Sequence, residues 1–306
     1  MRGWYILHDD LVMEIAVLIE CADDYNGKRV SDYYLPWGSV TNGLEHICGQ
    51  LKPYMDKGIE YVYFGNEFCE YKIPTIDQLK RMLDICKTDG ILCVLVTPVV
   101  SDYGINKLSD LIDCLINNSI TIPVVINDMG VFELIKRKKY SGECIVGRIL
   151  EKSSHDCRAS REEFDNYYGE NGKKFAKTPG IISDYSKMIF DGYGVDRYEF
   201  DLPKVGFELP FHGNYSLYWP YSYLTTGRVC MFRSLDLNGR DKFLVGDVGC
   251  GKLCTTYKVE KRKPINGYLL EKKAEMFLFQ KGNTVYFIND DVDLNLEYFN
   301  RLIIQL

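Results

Sequence analysis

Ile91-Leu92-Cys93-Val94-Leu95-Val96-Thr97 is an unbroken apolar run of strand length that ends on a polar residue, and the chain after it repeats the same design. Apolar residues at helical spacing follow over 106–117. A second apolar run, Ile122-Pro123-Val124-Val125-Ile126, ends in Asn127-Asp128, and another helical pattern over 131–139 leads to a third run over 143–149. Strands that are apolar throughout, with helices between them at intervals of about thirty residues, require a parallel sheet covered by helices or closed on itself.

Working outward, the same alternation extends to both sides. Toward the N-terminus stand a strand over 61–64, a mostly apolar run over 13–21, and helical spacing over 39–57 (Val40, Leu44, Ile47, Cys48, Leu51, Tyr54). Between 75 and 87, Thr75 is placed to cap a helix whose apolar face is Ile76, Leu79, Met82, Leu83 and Cys86. Toward the C-terminus the periodicity fades over 151–178, which reads as an insertion or long loop. Short strands resume at 181–182, 198–202 and 215–219. The expected fold is α/β, a TIM-barrel-like (β/α) core over 1–230. A smaller part, 231–306, is expected to carry β-type runs at 268–270, 276–280 and 284–288 and a final helix from Leu294.

Composition sets the broad class. The chain has 306 residues, 46% apolar and 26% charged, with a net charge of −6 and a pI near 5.4. This is the balance of an ordinary globular protein. The acidic charge and the absence of a basic stripe argue against a nucleic-acid partner. No stretch reaches the roughly 18 apolar residues of a membrane helix. The first residues, with acidic Asp9 and Asp10, carry no targeting pattern, so a cytoplasmic location is expected.

Eleven cysteines are present. Six of them (Cys21, Cys48, Cys86, Cys93, Cys114, Cys144) fall at apolar positions and read as small buried hydrophobes, and Cys157 reads as a free thiol. The other four do not look like core packing. Cys69 follows the strand 61–64 and the turn residue Gly65, at the sheet edge where α/β proteins build sites. Cys230 lies twenty residues before Cys250, and Cys250 and Cys254 sit in and beside the glycine-rich Gly246-Asp247-Val248-Gly249-Cys250-Gly251-Lys252. Together they suggest an iron–sulfur site. Zinc accepts the same ligands, but its Cys₄ sites usually present two tight pairs, whereas only Cys250 and Cys254 are close in sequence here. Unliganded thiols are the third reading.

The glycine-rich segment approximates a phosphate-binding loop, but Leu253 stands where that loop needs Ser or Thr. Other polar residues fall where strands end. Asn127 and Asp128 either cap the next helix or face a substrate. Arg148 is placed to grip a carboxylate or to form an internal ion pair. Glu67 is a proton-transfer candidate or a surface carboxylate, and His212 is the one histidine to be considered near a site. Thr225, Thr226 and Arg228 lead into Cys230, and the tyrosine-rich stretch 215–223 either lines a pocket or packs on the barrel.

Four motifs carry a resemblance. Tyr63-Phe64-Gly65-Asn66-Glu67-Phe68-Cys69, Val124-Val125-Ile126-Asn127-Asp128-Met129-Gly130, Gly147-Arg148-Ile149-Leu150-Glu151-Lys152 and Tyr223-Leu224-Thr225-Thr226-Gly227-Arg228-Val229-Cys230 resemble, in order and separation, the U32 peptidase-like family. The resemblance covers roughly residues 13–260. It implies a TIM-barrel-like core carrying a 4Fe-4S cluster on Cys69, Cys230, Cys250 and Cys254. The nineteen residues between Cys230 and Cys250 depart from the family's closer spacing.

The resemblance further implies an enzyme of oxygen-independent hydroxylation; the acidic balance favours a small-molecule or carrier-bound substrate, and the residues read above give Glu67, Asp128, Arg148 and His212 as catalytic candidates. Alternatives are a non-catalytic subunit of a heterodimer with a second family member, holding a structural cluster, and a peptidase, for which these residues offer no nucleophile elbow.

Overall fold

The computed structural model describes residues 13–33, 49–153, 169–195, 197–203, 206–209, 213–234, 250–257, 259–261, 278–289, 294 and 296–305. Its core is a closed barrel of eight parallel strands. They are β1 (Glu14–Ile19), β2 (Tyr61–Gly65), β3 (Leu92–Val96), β4 (Val124–Ile126), β5 (Cys144–Val146), β6 (Arg197–Asp201), β7 (Asn214–Trp219) and β12 (Arg301–Gln305). Each pairs with the next in chain order, and β12 fills the gap between β7 and β1. Strands β8 (Tyr221–Thr226), β9 (Val259–Lys261), β10 (Leu278–Lys281) and β11 (Thr284–Ile288) form a separate antiparallel sheet in the order β8-β11-β10-β9.

Helices α1 (Ile76–Asp89), α2 (Asp102–Asn117) and α3 (Met129–Lys138) cover the early strands. α1 and α3 start where the sequence supplies a side-chain acceptor for orphan N–H groups. Thr75 and Gln78 form a reciprocal capping box on α1, and the Asp128 carboxylate accepts from the Gly130 N–H at 2.7 Å on α3. Gly90, in a left-handed conformation, ends α1.

Period-two alternation sorts the strand residues into two sets. Ile15, Val17, Ile19, Val62, Phe64, Cys93, Leu95, Val124, Ile126, Leu302 and Ile304 pack outward into the large cluster under the helices. Ala16, Tyr63, Val94, Val96, Val125, Ile145, Tyr218 and Ile303 pack against one another across the barrel axis. Burying each large apolar side chain contributes roughly 1.5–3 kcal/mol, so closure rests on both sets.

Five expectations differ from the structure. Among the described residues no helix follows Leu294. Arg301-Leu302-Ile303-Ile304-Gln305 is strand β12, because a buried run of five residues rich in β-branched side chains fits a slot between two strands and is too short for a helix. The barrel therefore reaches past residue 230, while β8, before that residue, belongs to the second sheet. The strand expected at 181–182 is a single 3₁₀ turn, Gly180–Ile182, bounded by Pro179 and the capping Ser183. Within the expected loop over 151–178, α5 (Glu170–Lys177) forms, hidden from periodicity by Asn171-Gly172. A further helix, α6 (Asp184–Asp191), precedes β6. α2 starts at Asp102 and not at 106. Most of the helix expected over 39–57 lies outside the described residues, as do the runs at 268–270 and the start of 276–280.

Candidate functional site

The C-terminal ends of the barrel strands open toward the antiparallel sheet, and a cleft lies between them. Its walls hold Cys69, Cys230, Cys250 and Cys254, with Glu20 from the end of β1, Asn66 and Phe68 after β2, and Tyr286 of β11. The basic side chains Lys72, Arg228, Arg233, Lys252 and Lys281 complete it. Four thiols from three distant stretches of chain thus share one wall-lined space.

The approach to Cys69 is fixed locally. Gly65 takes φ +134°, and a Cβ there would lie 2.3 Å from the Val96 carbonyl, so only glycine lets β2 run this close to β3 as it turns. Asn66 then accepts from the N–H groups of Phe68 and Cys69 at 2.9 and 2.8 Å, holding the loop in a tight turn, and donates to Glu20 at 2.8 Å. Glu20 is paired with Lys72 at 2.5 Å and Lys281 at 3.6 Å. Burial works to raise its carboxyl, but Lys281 and Lys72 more than reverse this and hold it down at about 2.

The thiols respond to burial and to one another. Burial pushes Cys69 up to about 11, with Cys254 and Cys230 adding to the rise while Lys72 opposes it. Cys254 is raised by burial first, and Cys230 and Cys250 add to it. The thiols thus lie near enough to oppose one another's ionisation, and lysines and arginines surround them. The donor set and its surroundings fit an iron–sulfur cluster. Among the described residues, no three His, Cys, Asp or Glu side chains stand close enough to hold a single metal ion as they are.

Arg148 lies deeper, at the start of the short helix α4 (Arg148–Glu151) that follows β5, and is fully buried. Its Nε donates to both Glu67 oxygens at 3.0 and 3.1 Å and its Nη2 to Glu67 Oε2 at 2.5 Å. Its Nη1 donates to Asp201 at 2.5 Å and to the Tyr221 carbonyl at 3.4 Å, and Nη2 also reaches Gln305 at 3.1 Å. A guanidinium has five N–H donors, and all are committed. The ring of Tyr218 stacks under it at 3.9 Å. Of the two readings, the internal ion pair is the one this geometry shows, with every donor engaged within the chain. Burial pushes Glu67 above the ordinary carboxylate range against the pull of Arg148, while burial is outweighed at Arg148 by Asp201 and Glu67, which keep it charged.

Asp128 and Asn127 are similarly occupied. Asp128 caps α3 and accepts from the Val100 N–H at 3.2 Å, and Asn127 donates to the Thr97 carbonyl at 2.9 Å and accepts from the Ile149 N–H at 3.2 Å. Both tie strand ends together, and for Asp128 the helix-capping reading is the one this geometry shows. His212 lies outside the described residues, as do His8, His46 and His155. Arg228 points from the Cys230 loop to the Val100 carbonyl at 3.1 Å.

Sequence reasoning passed over the polar half of the barrel interior. Glu14, Arg197, Glu199, Asp201, Ser216 and Arg301 are largely or wholly enclosed there. Arg301 pairs with Glu14 at 2.8 Å and donates to the Tyr63 hydroxyl at 2.9 Å. Glu199 Oε2 lies 2.8 Å from the Tyr218 hydroxyl, and its Oε1 has no protein partner. Burial, reinforced by Glu67, pushes Glu199 up to about 8, so it is a neutral acid at pH 7. The signal was the alternation Arg197-Tyr198-Glu199-Phe200-Asp201, in which every second residue is charged.

Comparison of the chain with protein-family models, with curated proteins and with solved structures found no match. The class defined by the observations is a parallel (β/α) barrel with an appended antiparallel sheet and a four-thiol cleft at its mouth. Among the described residues no helix is long and apolar enough to cross a membrane.

Proposed function

We propose that this chain is an iron–sulfur protein that takes part in oxygen-independent hydroxylation of a small-molecule or carrier-bound substrate. Cys69, Cys230, Cys250 and Cys254 would hold a 4Fe-4S cluster. The observation that carries the reading is the meeting of these four cysteines on one cleft at the C-terminal mouth of the barrel, although the sequence scatters them over 185 positions, from 69 to 254. The motif resemblance to the U32 peptidase-like family supplies the reaction class.

Such a cluster supplies one-electron chemistry in a setting whose potential depends on nearby charge, hydrogen bonds and solvent exposure. This chain's own residues provide that setting. Phe68, Val99 and Tyr286 shield the cleft, Lys72 and Lys281 place positive charge beside the thiols, and Glu20 fixes both lysines. The Arg148–Glu67–Asp201 group supports the mouth from below, with Phe68 packed on the guanidinium at 5.2 Å.

The test is turnover without oxygen. Protein reconstituted anaerobically is incubated with carrier-bound substrates and with the small-molecule fraction of a cell extract, which must also supply the organic oxygen-atom donor that accepts the two electrons, and products are sought that gain one oxygen atom by mass. Gain with the unaltered chain and its loss in Cys69→Ala and Cys254→Ala support the reading. Equal gain in these variants opposes it.

A further inference from the structure

The turn between β10 and β11 touches three of the four cysteine segments. Gly282 and Asn283 form a two-residue hairpin loop between Lys281 and Thr284. Gly282 takes φ +64°, the left-handed conformation that a glycine at the first position of such a loop supplies without strain. A Cβ placed on it would be in contact with Cys254 Sγ at 3.5 Å, so the turn lies about a methyl group's width from that thiol.

Asn283 does more than complete the loop. Its Nδ2 donates to the Phe68 carbonyl at 2.6 Å and to the Gly227 carbonyl at 2.7 Å. Phe68 is bonded to Cys69, and Gly227 lies three residues before Cys230. An amide nitrogen carries two hydrogens, so both are used, one on each cysteine loop. The amide is itself oriented, because Thr284 Oγ1 donates to Asn283 Oδ1 at 3.3 Å and lies 3.0 Å from Thr226 Oγ1 on the neighbouring strand.

We infer that Asn283 is a positioning residue that clamps the Cys69 and Cys230 loops at a fixed separation and, through the adjoining Gly282, seats Cys254 against them. This inference rests on the iron–sulfur reading and extends it. The antiparallel sheet thereby gains a role: β8, β10 and β11 carry the turn that closes the cleft. The Cys69 loop follows barrel strand β2 and the Cys230 loop follows β8 of the antiparallel sheet, so the two Asn283 bonds bridge loops that leave different sheets.

The experiment uses the full chain, reconstituted with iron and sulfide under anaerobic conditions, as the unaltered protein and as Asn283→Asp. Aspartate keeps the size of the side chain and removes both donors. Iron release to a chelator is followed, with the visible circular dichroism and the paramagnetic resonance of the reduced protein. Losing two hydrogen bonds predicts release about tenfold faster or more, and altered spectra, in a variant whose metal-free form still unfolds cooperatively. A variant with unchanged release and unchanged spectra overturns the inference while leaving the cluster in place. An unaltered chain that takes up no cluster overturns the iron–sulfur reading and this inference with it. If Asn283→Asp does not fold, Asn283→Gln, which keeps the amide but displaces it, decides the matter: a shifted spectrum supports the clamp and an unchanged one refutes it.

Discussion

Arg148 and Glu67, 81 residues apart in the chain, meet inside the barrel mouth as a fork-to-fork pair, with the Arg148 Nε 3.0 Å from Glu67 Oε1 and Nη2 2.5 Å from Oε2. Both side chains are about 1% exposed, which leaves the pair no solvent to replace a lost partner. Asp201 on the other side of the guanidinium makes the group a buried triad with two carboxylates for one cation.

Removing the cation leaves two uncompensated buried carboxylates. Arg148→Met is expected to destabilise the fold by roughly 3–5 kcal/mol at neutral pH, read from denaturant unfolding. A cost below about 1 kcal/mol would show that the triad does not hold the mouth together.

Glu199 makes stability fall as pH rises. Its folded pKa of about 8 lies above its ordinary 4.5, so the folded chain binds a proton that the unfolded chain releases. The stabilisation is full below pH 4.5 and is lost as pH rises through 8, with a maximal slope of about 1.4 kcal/mol per pH unit. Glu199→Gln, which mimics the neutral acid, should flatten this slope. An unchanged slope in the variant would assign the titration elsewhere.

Glu20 has the opposite sign. Lys281 and Lys72 hold its carboxyl at about 2, so its contribution is present above pH 4.5 and is lost as pH falls toward 2. Unfolding of Glu20→Gln followed from pH 5 downward should be less acid-sensitive than that of the unaltered chain. Equal acid sensitivity would mean that the two lysines do not stabilise the ionised form.

The expected final helix is instead the strand that closes the barrel, and one substitution tests it. Ile304 is fully buried on the outer face of β12, and Ile304→Ala should cost about 2–5 kcal/mol in denaturant unfolding. A cost typical of a surface position would contradict the insertion of β12 between β7 and β1.

The parallel strand–helix alternation was legible because buried parallel strands are apolar on both faces, as in the runs 91–97 and 122–126, whereas those runs suit an open sheet as well as the closed barrel that forms. The helix starts at Thr75 and Asp128 were legible because capping chemistry is local. β12 was not, since five residues with three consecutive aliphatics suit a strand or one face of a helix until the gap beside β1 is known. The contexts of Cys69, Cys230, Cys250 and Cys254 set them apart in the sequence, but not that they line one cleft, which follows from the fold. The role of Arg148 was open because a guanidinium can serve a ligand or its own fold, and its partners Asp201 and Gln305 lie 53 and 157 positions away.

The central claim is that the four thiols of the cleft hold a cluster. Iron and acid-labile sulfide are to be measured, with the visible absorption spectrum, on protein purified without oxygen, for the unaltered chain and for Cys250→Ala. The account predicts about four irons and four sulfides per chain, lost in the variant. Zinc in place of iron, or no metal in either protein, would contradict it.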